Sequence, residues 1–229
     1  LVEVTTVRSK PKPFAWSYSK IKNYETCPKR HWHVDVAKDI KEEESEHITY
    51  GNAIHKALAE AISGKNPLPK PFSHIQSWVD KVTRTDGIIL VEQQLAITKE
   101  LNPTEWFGKD AWYRGIADVI KIIGPVAVVL DWKTGKIQED GVQLALMAQC
   151  VFTHHPSIEK IRTEFVWLKE DATTRADFTR GDMVKVWAGL LPRVKTLEDA
   201  YAGANFPPKP GYLCRRFCPV TSCPHHGEG

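Results

Sequence analysis

No stretch of this chain approaches the roughly 20 consecutive apolar residues that a membrane-spanning helix needs. Its amino end is polar and lacks the apolar core of a secretion signal. These two absences predict a soluble, intracellular protein without a membrane partner. Internal repeats and low-complexity tracts are missing as well, which excludes solenoids and fibrous classes. A strong charge of one sign is also lacking. The net charge of +3 is too small by itself to require a nucleic-acid partner. Cysteine is scarce and odd in number, five residues, and with no secretion signal this argues against a disulfide framework.

What is present describes an ordinary globular chain. Its 229 residues, 42% hydrophobic and 26% charged, suffice for one full core. The basic residues are uneven: Arg8, Lys10, Lys12, Lys20, Lys22, Lys29, Arg30 and Lys38 stand against only Glu25 and Asp35 in the same stretch. Such an excess suits a phosphate-facing surface, and equally a solvated basic arm. Residues 1–16, with Pro11 and Pro13, read as an extended arm. Ser17 or Ser19 caps a short helix that must end near Cys27-Pro28. An amphipathic helix is predicted over Tyr50 to Ser63, with His55 beside its apolar stripe. Pro71 opens another, with Ile75, Trp78, Val79 and Val82 inward. Ile88 to Ile97 and Lys160 to Leu168 read as strands. Gln138 to Phe152 and Asp182 to Tyr201 read as helices, the first burying Cys150 and the second containing Pro192. This order implies a mixed sheet covered by helices.

The most informative run spans Trp112 to Gly135. Two β-branched stretches flank Gly124-Pro125, the pattern of a hairpin. Pairing symmetric about that breaker gives opposed residues whose numbers sum to 249, and Asp118 with Asp131 satisfies it. Opposed residues share a face, with Cβ atoms about 4.5–5.5 Å apart. Lys133, two residues after Asp131, points the same way. Pro is a poor second residue for many tight turns, so a wider symmetric loop remains open. The run Val126 to Leu130 is continuously apolar, as in a strand buried on both faces. Charges beside such a strand are costly unless they serve a site. Hard carboxylate oxygens suit Mg²⁺ or Mn²⁺, and an imidazole from His55 biases the choice toward Mn²⁺. Glu92, on the preceding strand, offers a further carboxylate.

Near the carboxyl end, Pro207, Pro208 and Pro210 form a stiff linker into Cys214, Cys218 and Cys223, followed by His225 and His226. This density points to a metal centre. Zinc held by three thiolates and a histidine is one reading, and an all-thiolate iron–sulfur cluster is the other.

These marks resemble the PD-(D/E)XK nuclease superfamily, specifically its RecB-type branch. They are His55 in Gly51-Asn-Ala-Ile-His55, Asp118 in Gly115-Ile-Ala-Asp118, Asp131-Trp-Lys133-Thr-Gly135, and Gln143-Leu-Ala-Leu-Met147. The stretch Ser17-Tyr-Ser19 to Cys27-Pro28 is similar to the amino-terminal motif of iron–sulfur members such as AddB subunits and CRISPR-adaptation nucleases. Two departures stand out: Met147 where the family has Tyr, and C-x3-C-x4-C where it has C-x2-C-x5-C.

The resemblance implies an α/β, restriction-endonuclease-like fold, a mixed central sheet flanked by helices with the cysteine cluster tied to the amino-terminal helix. It implies one domain over 1–229, with a nuclease core at 17–204 and a tail at 205–229 completed by Cys27. Asp118, Asp131, Lys133, Gln143 and Glu92 would be catalytic. His55, Asp118, Asp131 and the Trp132 carbonyl would hold Mg²⁺ or Mn²⁺. Cys27, Cys214, Cys218 and Cys223 would hold a [4Fe–4S] cluster, with Zn²⁺ as the alternative. Tyr24, Arg215 and Arg216 would contact DNA, and Trp16 and Trp32 could stack on bases. The implied activity is exonucleolytic hydrolysis of DNA from a free or single-stranded end, in a bacterium or an infected host cell. A non-catalytic nucleic-acid-binding module is the alternative.

Overall fold

The computed structural model describes residues 14–42, 45–138 and 140–228. Most of the expected arm, residues 1–13, lies outside them, as do Glu43 and Glu44. Six strands form one sheet: β1 (Ile88–Ile97), β2 (Pro103–Thr104), β3 (Tyr113–Ile123), β4 (Val126–Lys133), β5 (Lys160–Trp167) and β6 (Ala172–Thr179). Their order is β2-β1-β3-β4-β5-β6, and β4 with β5 is the parallel pair. That pair needs a crossover, supplied by a helix over Gly141–His154. The fold class expected from sequence is therefore the one observed.

The helices are α1 (Tyr18–Thr26), α2 (Pro28–His31), α3 (Glu46–Ile62), α4 (Gln76–Thr83), α5 (Gly141–His154), α6 (Met183–Gly203) and α7 (Leu213–Arg216). One face of the sheet packs Ile54, Leu58, Trp78 and Val82 of α3 and α4 against Val119, Leu130 and Trp132. The other packs α5 and α6 against Ala117, Ile120 and Val129. Pro192 sits inside α6 without ending it. Both Pro192 and Ala188, whose carbonyl loses its partner, lie on the exposed side, where water satisfies the freed group.

Between β3 and β4 the register runs from Ile123↔Val126 to Val119↔Leu130. Every pair sums to 249, and the connection is the two residues Gly124-Pro125. Gly124 takes φ +56°, a positive value in the first central position, which leaves the second to a residue of negative φ such as proline. The carbonyl of Pro125 then accepts from Glu159 N at 2.8 Å, tying the turn to the start of β5. A Cβ at Gly124 would meet nothing within 4 Å, so its conformation alone is at stake. Gly124→Ala is expected to cost about 1–2 kcal/mol in urea unfolding with the slope unchanged. A stability equal to wild type would contradict this turn.

The amino-terminal helices are tied to the sheet, to α6 and to the linker that follows it. Trp16, 1% exposed, pairs with β3 through Trp16 N to Trp112 O and Arg114 N to Trp16 O, both 2.9 Å. Ser17 caps α1 through Lys20 N, and Glu25 on α1 takes a bidentate pair from Arg193 on α6 at 2.6 and 2.8 Å. The linker after α6 crosses α1 and α2: Phe206 packs on Trp32 at 4.8 Å and edge-on to Tyr24, and Lys29 N donates to Pro207 O.

Candidate active site

Side chains should alternate between the two faces along a strand, but β1 and β3 break this rule together. On β1, Val91 faces α3 and α4 whereas Leu95 and Ile97 face α5 and α6. On β3, Val119 faces α3 and α4 whereas Ala117 and Tyr113 face the other way. All of these positions are odd, so the alternation reverses once on each strand. Register sums stay at 210 on both sides, from Val91↔Val119 to Gln93↔Ala117, so the reversals coincide at Glu92 and Asp118. Glu92 carries φ +52°. A non-glycine residue in that region is strained by about 1–3 kcal/mol, a cost found where surrounding structure holds a functional side chain in place.

At this break Asp118 is buried and leaves the regular ladder. Its Oδ2 accepts from Trp132 N at 2.7 Å, and its Oδ1 lies 3.3 Å from Nδ1 of His55 on α3. The helix reaches this close because Gly51, one turn before His55, faces Thr134, where an added Cβ would stand 3.2 Å from the hydroxyl. Donor atoms of His55, Glu92 and Asp118 all lie within 4.8 Å of one another, the one group of its kind among the described residues. They line a cleft of about 850 Å³ together with Asp131.

Asp131 follows ordinary alternation and faces α5. Gln143 Nε2 donates to Asp131 Oδ1 at 3.3 Å, and Lys133 Nζ donates to Gln143 Oε1 at 3.3 Å. Lys133 Nζ also stands 2.5 Å from Asp131 Oδ2, a close ion pair on that buried oxygen. The two acids thus differ from simple opposition on one face. Asp118 is bonded toward α3 and Asp131 toward α5, and both border one cleft.

Crowding of acids shows in their titration. Burial raises the Asp131 pKa, Lys133 pulls it back and Asp118 adds to the rise, leaving it at about 6. Glu92 is raised by burial and then by Asp118. Burial lowers the His55 pKa, but the hydrogen bond to Asp118 and the charges of Asp118, Asp131 and Glu92 outweigh it, and the net direction is up. A site that gathers negative charge in this way is chemically suited to a divalent cation with carboxylate and imidazole donors.

The remaining sequence-derived residues are spread more widely. Trp132 is buried, and its amide serves Asp118. Trp16 is core, not a base-stacking platform, because Trp112, Tyr113 and Trp187 surround it. Tyr24 and Trp32 pack on Phe206. Arg215 and Arg216 are exposed on α7. Cys27 precedes α2, Cys214 lies on α7, and Gly227 N donates to Cys214 O, closing the tail on itself. The four thiols are free and half-buried, while Cys150 is buried and its thiol pKa is pushed up by that burial. No three of the tail's cysteines and histidines bring ligand atoms within 4.8 Å. Tetrahedral zinc, with Zn–S near 2.3 Å, would need sulfurs about 3.8 Å apart. Thr134 and Arg114 were not singled out from sequence. Thr134 follows Lys133 directly, but only the packing against Gly51 reveals its place.

A model of the PD-(D/E)XK nuclease superfamily matches residues 15–224. The chain belongs to the PD-(D/E)XK nuclease superfamily. A crystal structure of a "Putative exonuclease" from Eubacterium rectale superposes with TM-score 0.54 at 11% identity, covering 94% of this chain and 92% of the other. At that identity the likeness concerns the fold. The crystal structure of SSO0001 aligns at TM-score 0.46 and 14% identity, over 96% and 90% of the two chains. No curated protein matches the chain in sequence. No helix among the described residues is long and apolar enough to cross a membrane.

Cation binding to these donors requires ionised Asp131 and Glu92 and a neutral His55. Because all three pKa values are raised in the free protein, binding must expel protons near pH 6. Calorimetric titration with Mn²⁺ in buffers of different ionisation enthalpy should show proton release at pH 6 and an affinity that falls as pH drops from 7 to 5. An affinity independent of pH over that range would contradict the assignment.

Proposed function

We propose that this member of the nuclease superfamily is a metal-dependent DNA exonuclease, built as a single domain over 1–229. The reading rests on one observation: Asp131, Lys133 and Gln143 form a bonded cluster on the edge of the cleft that gathers His55, Glu92 and Asp118. Mg²⁺ or Mn²⁺ fits this donor set, with His55, Asp118 and Asp131 as ligands, the Trp132 carbonyl beside them and Glu92 directly or through water. When bound, the cation supplies Lewis acidity at a phosphoryl oxygen and offsets the charge that develops there. Lys133, anchored between Asp131 and Gln143, orients the attacking water by hydrogen bonding and adds positive charge beside the reacting phosphate. Gln143 bonds both Lys133 and Asp131 and so fixes the pair relative to α5. Burial of Asp118 and its bond from Trp132 N hold that carboxylate in a fixed position for the reaction.

The cysteines belong to the same reading. Phe206 and Pro207 lie against the helices that flank Cys27, which supports a cluster joining Cys27 to Cys214, Cys218 and Cys223. Cys27, Cys214, Cys218 and Cys223 would supply the all-thiolate ligation that suits a [4Fe–4S] cluster, with Zn²⁺ as the alternative. When bound, the cluster would staple the tail to the amino-terminal helices, where Arg215, Arg216 and Tyr24 are available to DNA.

Linear and covalently closed circular DNA incubated with Mn²⁺ test the activity. Loss of the linear form alone is the expected result, and Lys133→Ala should slow it by at least about 100-fold. Equal cleavage by Lys133→Ala, or none by wild type, would favour the non-catalytic module instead. Anaerobic purification tests the cluster: a brown protein with about four irons and no zinc is expected, and stoichiometric zinc with no iron would overturn it.

A further inference from the structure

A second cleft, of about 700 Å³, adjoins the first, and Ile116 lines both. Lys133 and Gln143 form its inner end, and Lys20, Arg114 and Trp106 form its walls. Its charges are unbalanced. Lys22 reaches Asp140 at 3.3 Å and Lys133 reaches Asp131. Among the described residues, however, no carboxylate is within ion-pair distance of Lys20 or Arg114. Lys20 donates only to the Ala15 carbonyl, at 2.7 Å. Its pKa is lowered, first by burial and then by the charge of Arg114, with Asp35 opposing from beyond ion-pair distance. The Tyr18 hydroxyl and Arg114 Nε, both on this wall, are buried without a hydrogen-bond partner.

Aromatic groups accompany this charge. The Arg114 guanidinium lies 5.8 Å from the Trp106 ring and 5.9 Å from the Phe107 ring. Phe107 is 83% exposed, an apolar ring held in solvent at the lip. Past Lys20 and Arg114 the groove continues into another cleft of about 1160 Å³, where Lys38 and Lys41 join them and Asp35, Glu42 and Glu198 also line the wall. A cationic groove that tracks a backbone, with aromatic faces for bases, is the arrangement that suits unpaired nucleic acid.

We infer that this groove is the binding track for a single-stranded segment of the DNA substrate, leading into the cation cleft past Ile116. Arg114 and Lys20 take its phosphates, and Phe107 offers a stacking face to a base. The inference rests on the nuclease reading for its substrate but concerns binding, so it can be tested apart from cleavage.

Fluorescence anisotropy in EDTA, with the full chain and a labelled oligothymidylate, measures binding while hydrolysis is blocked. Wild type should bind the single strand at least about tenfold tighter than a blunt duplex of equal length. Phe107→Ala and Arg114→Gln should each weaken single-strand binding by about tenfold. Arg114→Gln should also reduce the salt slope by about one, which Phe107→Ala should not do. Phe107 is exposed, so its variant carries the test even if Arg114→Gln fails to fold. Binding by both variants within about twofold of wild type, a wild-type preference for duplex, or no wild-type binding would overturn the inference. Mn²⁺-dependent cleavage by the same wild-type preparation reports separately on the nuclease reading.

Discussion

One hydrogen bond organises the site: Trp132 N donating to the carboxylate of Asp118 at 2.7 Å. In an uninterrupted hairpin that amide would look to backbone on β3. A side-chain acceptor in its place lets the two strands part where the cleft opens. It also gives one oxygen of a buried carboxylate its hydrogen-bond donor. His55 satisfies the other oxygen, and Gly51 allows its helix to come near enough to do so. Removing any of these would leave a buried charge short of partners, so the cleft and the local fold depend on each other.

The sheet break extends the same logic. Reversing the alternation on β1 and β3 at matching positions keeps their pairing intact while freeing one residue on each strand from the two cores. Those residues are Glu92 and Asp118, and both turn into the cleft. The left-handed backbone at Glu92 is the strain that accompanies this arrangement. Burial first, and then the charge of Asp118, raises the pKa values of Asp131 and Glu92. The basic groove beyond Ile116 has the opposite sign. The acidic cleft and the basic cleft thus meet at Ile116, which lines both.

Much of this was legible in the residues. Gly124-Pro125 between two β-branched runs specifies the hairpin and its sum of 249, because turn chemistry and apolar patterning agree there. Ile75, Trp78, Val79 and Val82 are inward as their spacing requires. Strand β6 was not foreseen: Ala172–Thr179 is a polar edge strand with no fully buried residue, and no apolar run marks it. Helix α3 starts at Glu46, four residues before the predicted start at Tyr50, because Ser45 caps it through Ile48 N. The paired reversal at Glu92 and Asp118 was hidden because it depends on two strands at once. Opposition across the hairpin suggested a shared face. The backbone break brings the acids together by another route. Arg114 and Phe107 also escaped notice, since their meaning lies in an absent carboxylate and an exposed ring, and both appear only in three dimensions.

Anomalous diffraction from crystals soaked in Mn²⁺ tests the central claim most directly. One strong peak bounded by His55, Asp118 and Asp131 is the expected result. A peak elsewhere, or none at a concentration that supports cleavage, would contradict it.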